Sequence, residues 1–279
     1  LDRPLAAYAV GSVFKPVLTA AAIEAGLDGL VVECPGYTMV DGQVFRCASG
    51  TAHGTVDLAA ALEQSCNGYF IRLGQQLGAE RVLEAARALG FGQHTPVAGS
   101  LQGAAGELPA LETLETSGQL ANFSFGQGQL LATPLQVAAM MNTIAAGGVC
   151  RTPSFVLAVL DGESGEVVES GAIPAARQVF SARTAQRLQQ LLTGVVAEGT
   201  GRQGAPIHGS AAGKTGTAQT GQFTAEGEEK MNLWFAGFCP AEDPRYTVVV
   251  LQDGQTDPVC SSARIFAQVC EALWLLEQE

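Results

Sequence analysis

Three short groups of residues in this chain carry side chains suited to nucleophilic chemistry. The first is Ser12-Val13-Phe14-Lys15-Pro16. Residues three apart on a helix are surface neighbours, so the Lys15 amine can reach back toward the Ser12 hydroxyl and activate it without histidine. Proline is tolerated in a first turn and damages a helix interior, so Pro16 sets the helix start at or just before Ser12. A nucleophile there sits beside free backbone N–H groups and the positive end of the helix dipole. Taken alone, the pair reads better as a capping serine and a surface lysine. Two further groups change that reading: Ser65-Cys66-Asn67 offers a hydroxyl and an amide, and Lys214-Thr215-Gly216-Thr217 offers a cation and two hydroxyls.

The elements that must position these groups follow from pattern. A mostly apolar helix runs from Ser12 to near Gly26, its apolar breadth indicating burial. Thr55 is the expected N-cap of a helix over Val56 to Gln64, and a second helical stretch runs from about Gly68 to Leu77. Ser65-Cys66-Asn67 then falls at the corner between them. Glu80 to Leu89 is a third helix, closed by Gly90. Thr133-Pro134-Leu135-Gln136 has the residues of a capping box and opens a helix that stops at Gly147-Gly148. Val156 to Leu160 and Val167 to Glu169 form a hairpin, and a helix over about Ser181 to Glu198 follows. Gly213 to Thr220, Leu233 to Cys239 and Tyr246 to Gln252 read as three antiparallel strands, the first carrying Lys214, and Ser262 to Leu276 as a closing helix. Helices in the middle with a late sheet indicate an α+β fold. One domain over 1–279 is expected, with a helical part at about 27–150 and a sheet part at about 151–279 joined by the nucleophile helix at 11–26.

Composition narrows the class. Apolar residues make up 47% and charged residues 15% of 279, which is a globular balance with a sizeable core. A net charge of -12 argues against nucleic acid as a partner, and there is no polybasic membrane patch. No apolar run approaches the length of a membrane span, and the N-terminus lacks a signal-peptide pattern. The seven cysteines show no C-x-x-C zinc pair and read mostly as small core residues, Cys66 among them. No metal is expected. Cys34 and Cys47 flank a Pro/Gly/Asp-rich excursion, Pro35 to Arg46, that could be a hairpin loop stapled at its base; spacing alone leaves that pairing open. His53, His94 and His208 have no suggested acidic partner for a triad and read as structural or exposed.

In the order S-x-x-K, S-x-N, K-T-G the three groups are the signature of penicillin-binding proteins and serine β-lactamases. The chain resembles the transpeptidase domain of class B penicillin-binding proteins over nearly its whole length. The likeness includes Gly11, His53-Gly54, Phe125-Gly126-Gln127-Gly128, Thr133-Pro134-Leu135-Gln136, Gly199-Thr200-Gly201 and Trp234-Phe235-Ala236-Gly237. Phe125 to Gly128 is read as a support for the site, and Trp234 and Phe235 as core strand residues. Class A β-lactamases lack the Phe125 to Gln136 segment, and Glu107, Glu112 and Glu115 do not match their catalytic glutamate, so slow deacylation by water is expected. The resemblance implies an antiparallel sheet flanked by helices, plus an all-helical lobe. It also implies an anchor, a pedestal and first sheet strands upstream of the nucleophile, where only eleven residues precede Ser12. The sheet should then keep three strands and expose an unpaired edge.

Acyl transfer gives each residue a task. Ser12 is the nucleophile. Lys15 is its base if its amine is neutral, a state that burial and the nearby Lys214 cation favour. Ser65 relays a proton to the leaving amine, since a hydroxyl both donates and accepts. Asn67 suits a substrate's peptide backbone, and Lys214 with the Thr215 and Thr217 hydroxyls suits its carboxylate. Gly216 leaves the strand face open for substrate, so a bulkier residue there should block entry. The backbone N–H groups of Ser12 and Thr217 form the oxyanion hole, typically worth about 2.7–4 kcal/mol per donor. The implied activity is peptidoglycan cross-linking from D-Ala-D-Ala stem peptides at the outer face of the bacterial membrane, with β-lactams acylating Ser12. No cofactor is implied, and a membrane glycosyltransferase in the parent protein is a further partner. The charge fits poorly with tight binding to polyanionic wall polymers. A D,D-carboxypeptidase, a β-lactamase and a non-catalytic β-lactam sensor remain as alternatives.

Overall fold

The computed structural model describes residues 2–98, 101–171, 175–256 and 262–278. Its centre is an antiparallel sheet of an inner strand, Ala212–Phe223, a central strand, Glu229–Cys239, and an outer strand, Tyr246–Gln255. The inner hairpin continues beyond Thr220, where the sequence reading ends the first strand, and closes where Thr224 N donates to the Glu228 carbonyl at 2.9 Å. The central strand is buried on both faces. Trp234, Ala236 and Phe238 join the main core, while Phe235 and Cys239, pointing the other way, pack with Phe266 and Cys270. Covering both faces explains why this strand is nearly continuous in apolar residues. Among the described residues the outer strand pairs only with the central one.

The helices are α1 (Lys15–Glu24), α2 (Leu58–Glu63), α3 (Asn67–Leu77), α4 (Ala79–Ala88), α5 (Leu111–Leu114), α6 (Ser117–Ser124), α7 (Pro134–Ala145), α8 (Ala182–Ala197) and α9 (Ser262–Leu276). α1 is entered through a 3-10 turn, Gly11–Phe14, so Ser12 precedes the α-helix proper, and Lys15 to Ala22 are buried without a break. Asp57 caps α2, accepting from Ala60 N at 2.9 Å. Thr55 does not, because its hydroxyl donates to Glu33 Oε2 at 2.6 Å and its backbone lies in the short strand Gly54–Val56, paired with Val32–Cys34. The expected all-helical lobe is also corrected by the hairpin Tyr37–Val40 with Gln43–Arg46. Asp41 and Gly42 both have positive φ there, the two-residue turn whose twist suits a hairpin. The hairpin Ala158–Leu160 with Val167–Ser170 is present as expected. The Cys260 position lies outside the described residues.

The turn that carries Ser12 is held by three close approaches. Gly11 N donates to the Gly126 carbonyl at 2.9 Å, and a Cβ at Gly126, whose φ is +89°, would stand 1.9 Å from the Gly11 oxygen. Only glycine fits that contact. Just upstream, the Ala9 carbonyl accepts from Trp234 Nε1 at 2.9 Å. The third approach corrects the reading of Gly216. A Cβ there would meet Val13 Cγ1 at 2.9 Å and the Val10 carbonyl at 3.1 Å, so the missing side chain makes room for the nucleophile turn rather than for substrate.

Behind this turn, α7 begins with the capping box read from sequence. Thr133 Oγ1 accepts from Gln136 N at 3.1 Å and Gln136 Oε1 from Thr133 N at 2.8 Å. The buried Gln136 amide nitrogen also serves the carbonyls of Gly90, Gln93 and Ala105 at 3.2, 2.8 and 2.8 Å. One side chain thus ties α7 to the segment after α4 and to the loop before α5.

Two substitutions test this scaffold. Gln136→Leu leaves the three carbonyls without their donor and should lower the unfolding free energy by about 3 kcal/mol in a denaturant titration; a change within about 0.5 kcal/mol would contradict the tie. Gly216→Val should destabilise by about 1–3 kcal/mol through overpacking against Val13. Unchanged stability with lost ligand binding would restore the substrate-entry reading.

Candidate active site

Lys15 and Lys214 are both fully buried. An amine without water must find acceptors or lose its proton, and these two converge on one residue. Lys15 Nζ donates to the Ser65 carbonyl at 2.7 Å, to Asn67 Oδ1 at 2.8 Å and to Ser65 Oγ at 3.1 Å. It also stands 5.3 Å from the centre of the Phe70 ring. From the opposite side, Lys214 Nζ donates to the same Ser65 Oγ at 3.0 Å, and to the Thr215 carbonyl and hydroxyl at 3.2 and 3.4 Å. With its two lone pairs facing two amines, the Ser65 hydroxyl has its proton left to give.

Local chain geometry brings Ser65 there. It has φ +55°, a left-handed residue that ends α2 and turns the chain into α3. Ser65 N donates to the Leu62 carbonyl at 3.2 Å and Cys66 N to the Ala61 carbonyl at 2.9 Å, closing α2. Cys66 caps α3, its sulfur accepting from Tyr69 N at 3.4 Å. Asn67 is then the first residue of α3. Its amide is oriented from both ends, Oδ1 by Lys15 and Nδ2 by the Arg46 carbonyl at 3.0 Å. One lone pair and one N–H remain for a ligand, so its first role is to position Lys15.

Burial is the largest influence on Lys15 and pushes its amine down to about 7, against the opposing influence of the Cys66 and Cys47 sulfurs. As an ammonium, Lys15 has a proton for each of its three acceptors; on losing one it gains a lone pair that can take a proton from a hydroxyl. Ser12, half-buried one helical turn before it, is the residue at that place in sequence.

The inner strand completes the site. Thr215 is half-buried and Thr217 exposed, on the strand that carries Lys214. Thr200 belongs with them: its hydroxyl lies 2.9 Å from that of Thr215. No role for Thr200 was legible beyond its place in Gly199-Thr200-Gly201. The structure shows why glycine precedes it, since a Cβ at Gly199 would stand 2.4 Å from the Glu63 carbonyl, which accepts from Thr200 N at 2.8 Å. The corner that ends in Ser65 and the hydroxyls beside Lys214 are thereby joined.

The remaining candidates lie elsewhere. His94 Nδ1 is 2.9 Å from the Gly103 carbonyl, and His208 stacks on Trp274 and pairs with Glu271. Trp234 and Phe235 are core residues as expected. Cys34 and Cys47 are free thiols whose sulfurs are 3.6 Å apart, so the hairpin base is not stapled by a disulfide.

The family described as penicillin binding protein transpeptidase domain matches residues 6–271. Stage V sporulation protein D of Bacillus subtilis is 35% identical over 250 residues, covering 88% of this chain and 38% of that protein. The peptidoglycan D,D-transpeptidase PbpA of Mycobacterium tuberculosis is 30% identical over 271 residues, covering 93% of this chain and 52% of that protein. The structure of penicillin-binding protein A from M. tuberculosis as an imipenem acyl-enzyme complex superposes with a TM-score of 0.86 at 27% identity, covering 98% of this chain and 62% of the other. The chain thus spans about two fifths to half of the length of these curated relatives. Its sequence motifs, its sheet and the convergence of two buried lysines on Ser65 agree with these matches: the chain belongs to the penicillin-binding protein transpeptidase family.

Proposed function

We propose that this chain is the catalytic domain of a peptidoglycan D,D-transpeptidase with Ser12 as nucleophile. The observation that carries the reading is the Ser65 hydroxyl held between the Lys15 and Lys214 amines. Neutral Lys15 takes the Ser12 proton as Ser12 Oγ bonds to the carbonyl carbon of the penultimate D-Ala. The tetrahedral oxyanion is held by the backbone N–H groups of Ser12 and Thr217. As the C–N bond breaks, the amine of the terminal D-Ala receives a proton through Ser65, and D-Ala leaves. An amine of a neighbouring stem peptide then takes the acyl group and restores Ser12. Lys214, Thr215 and Thr217 hold the terminal carboxylate, with Thr200 orienting Thr215, and Asn67 lends its remaining polar sites to the peptide backbone.

The relative trapped as an imipenem acyl-enzyme supports covalent capture of β-lactams on the corresponding nucleophile here. The setting we assign is the outer face of the bacterial membrane, with a membrane glycosyltransferase as partner of the longer protein. Among the described residues, no helix is long and apolar enough to cross a membrane.

Three outcomes test this. A fluorescent penicillin should label the wild-type chain and not Ser12→Ala; equal labelling would end the assignment of Ser12. The adduct should persist for hours, whereas rapid turnover would make the chain a β-lactamase. The third is pH. Because burial lowers the Lys15 pKa, the neutral base is lost as pH falls through about 7. The acylation rate constant should therefore drop about tenfold per pH unit below that point and level off above it. A profile flat from about pH 5.5 to about 8.5 would exclude Lys15 as the base.

A further inference from the structure

A second group of reactive side chains lies directly behind the Ser65 corner. Cys34 ends the strand Val32–Cys34, Cys47 follows the strand Gln43–Arg46, His53 precedes the strand Gly54–Val56, and Cys66 caps α3. Four separate segments each deliver one ligand atom, and these atoms all lie within 4.8 Å of one another. The three sulfurs are buried and His53 is half-buried. Wide spacing in sequence hid the group, since no two of these residues form a C-x-x-C pair.

The distances have a simple geometric meaning. Cys34 Sγ is 3.6 Å from Cys47 Sγ and 3.6 Å from His53 Nδ1, and Cys47 Sγ is 3.9 Å from Cys66 Sγ. Zinc bonds of about 2.3 Å to sulfur and about 2.05 Å to nitrogen, set tetrahedrally, place sulfurs about 3.8 Å apart and sulfur about 3.6 Å from nitrogen. Three of the six edges of a coordination tetrahedron are thus matched, and all separations stay within 4.8 Å. Two thiols can touch at such a distance without a metal, but three sulfurs and an imidazole around one point make a complete donor set.

The surroundings suit thiolates. Backbone N–H groups of Gly68 and Asn67 bond to the Cys47 sulfur, and Tyr69 N donates to that of Cys66. Such donors orient and stabilise metal-bound thiolates. His53 is tied to the group through its own backbone, its N–H donating to the Cys34 carbonyl at 2.9 Å. Gly68 leaves room beside the sulfurs, since a Cβ there would stand 2.8 Å from Thr38 Oγ1 and 3.3 Å from Cys34 Sγ.

We propose that Cys34, Cys47, His53 and Cys66 bind one zinc ion in a closed structural site. Soft thiolates with one imidazole in tetrahedral array select zinc, and four protein ligands leave no position for substrate. On binding, each thiol gives its proton to solvent as its Zn–S bond forms, and the imidazole coordinates through neutral Nδ1. The ion has no part in the acyl transfer. Its effect is to clamp the base of the 37–46 hairpin to the start of α3, fixing from behind the residues on either side of Cys66.

The test is metal content with a spectroscopic check. The wild-type chain, purified under reducing conditions and dialysed against zinc, should hold one zinc per chain by elemental analysis. Cys47→Ala should bind at least about tenfold more weakly, and Cys150→Ala should keep its zinc. Because Cys47→Ala can also fail by misfolding, cobalt(II) added to metal-free wild-type chain supplies an independent readout. Intense visible bands of tetrahedral cobalt with thiolate charge transfer are expected. A folded wild-type chain that takes up no zinc and gives only weak octahedral cobalt bands would overturn the proposal. So would a Cys34–Cys47 or Cys47–Cys66 disulfide that resists reduction and so keeps zinc out.

Discussion

Two lysine amines buried on either side of one serine hydroxyl set the terms for the rest of this molecule. Placing two cations out of water and close together is unfavourable, and the least costly resolution is for one to give up its proton. Burial does this at Lys15, bringing its amine to about 7. The resulting lone pair is what a serine needs when no imidazole stands near it. In the proposed reaction the base is therefore made by its surroundings rather than by its residue type. Asn67, Phe70 and the Ser65 carbonyl hold that amine in a dry pocket.

Such a pocket must be stiff, and the scaffold shows how stiffness is reached with backbone contacts. The nucleophile turn rests against Gly126 on one side and Gly216 on the other, at distances that admit no side chain. The corner before α3 is tied through Glu63 to the loop holding Thr200, and through Asn67 to the hairpin end at Arg46. The cysteine and histidine group then stands directly behind that corner. Two separate clusters thus meet at one three-residue run, Ser65 and Asn67 meeting the lysine amines and Cys66 the other sulfurs.

Much of this was legible in the sequence where local chemistry decides. Pro16, the Thr133–Gln136 box and the turn-bounded apolar runs placed α1, α7 and the three strands. The motif residues Lys15, Ser65, Asn67, Lys214 and Thr215 are brought together as their order suggested. What could not be read depends on partners distant in the chain. Thr55 and Asp57 are both good caps, and only the bond from Thr55 to Glu33 decides between them. Gly216 looked open because Val10 and Val13, which fill its space, come from the other end of the chain. Thr200 and the Cys34, Cys47, His53, Cys66 group carry no local signal, since folding alone gives them their neighbours.

The claim on which the account stands is that Lys15 is neutral when the site works, and it can be observed directly. The chain has three lysines, at positions 15, 214 and 230, so carbon-13 labelling of the lysine ε-carbon gives a spectrum simple enough to assign by substitution. In a pH titration, the signal missing from Lys15→Arg should move with a midpoint near about 7. If that signal instead titrates near the ordinary lysine value of about 10.4, Lys15 is a permanent cation at working pH and the account is wrong.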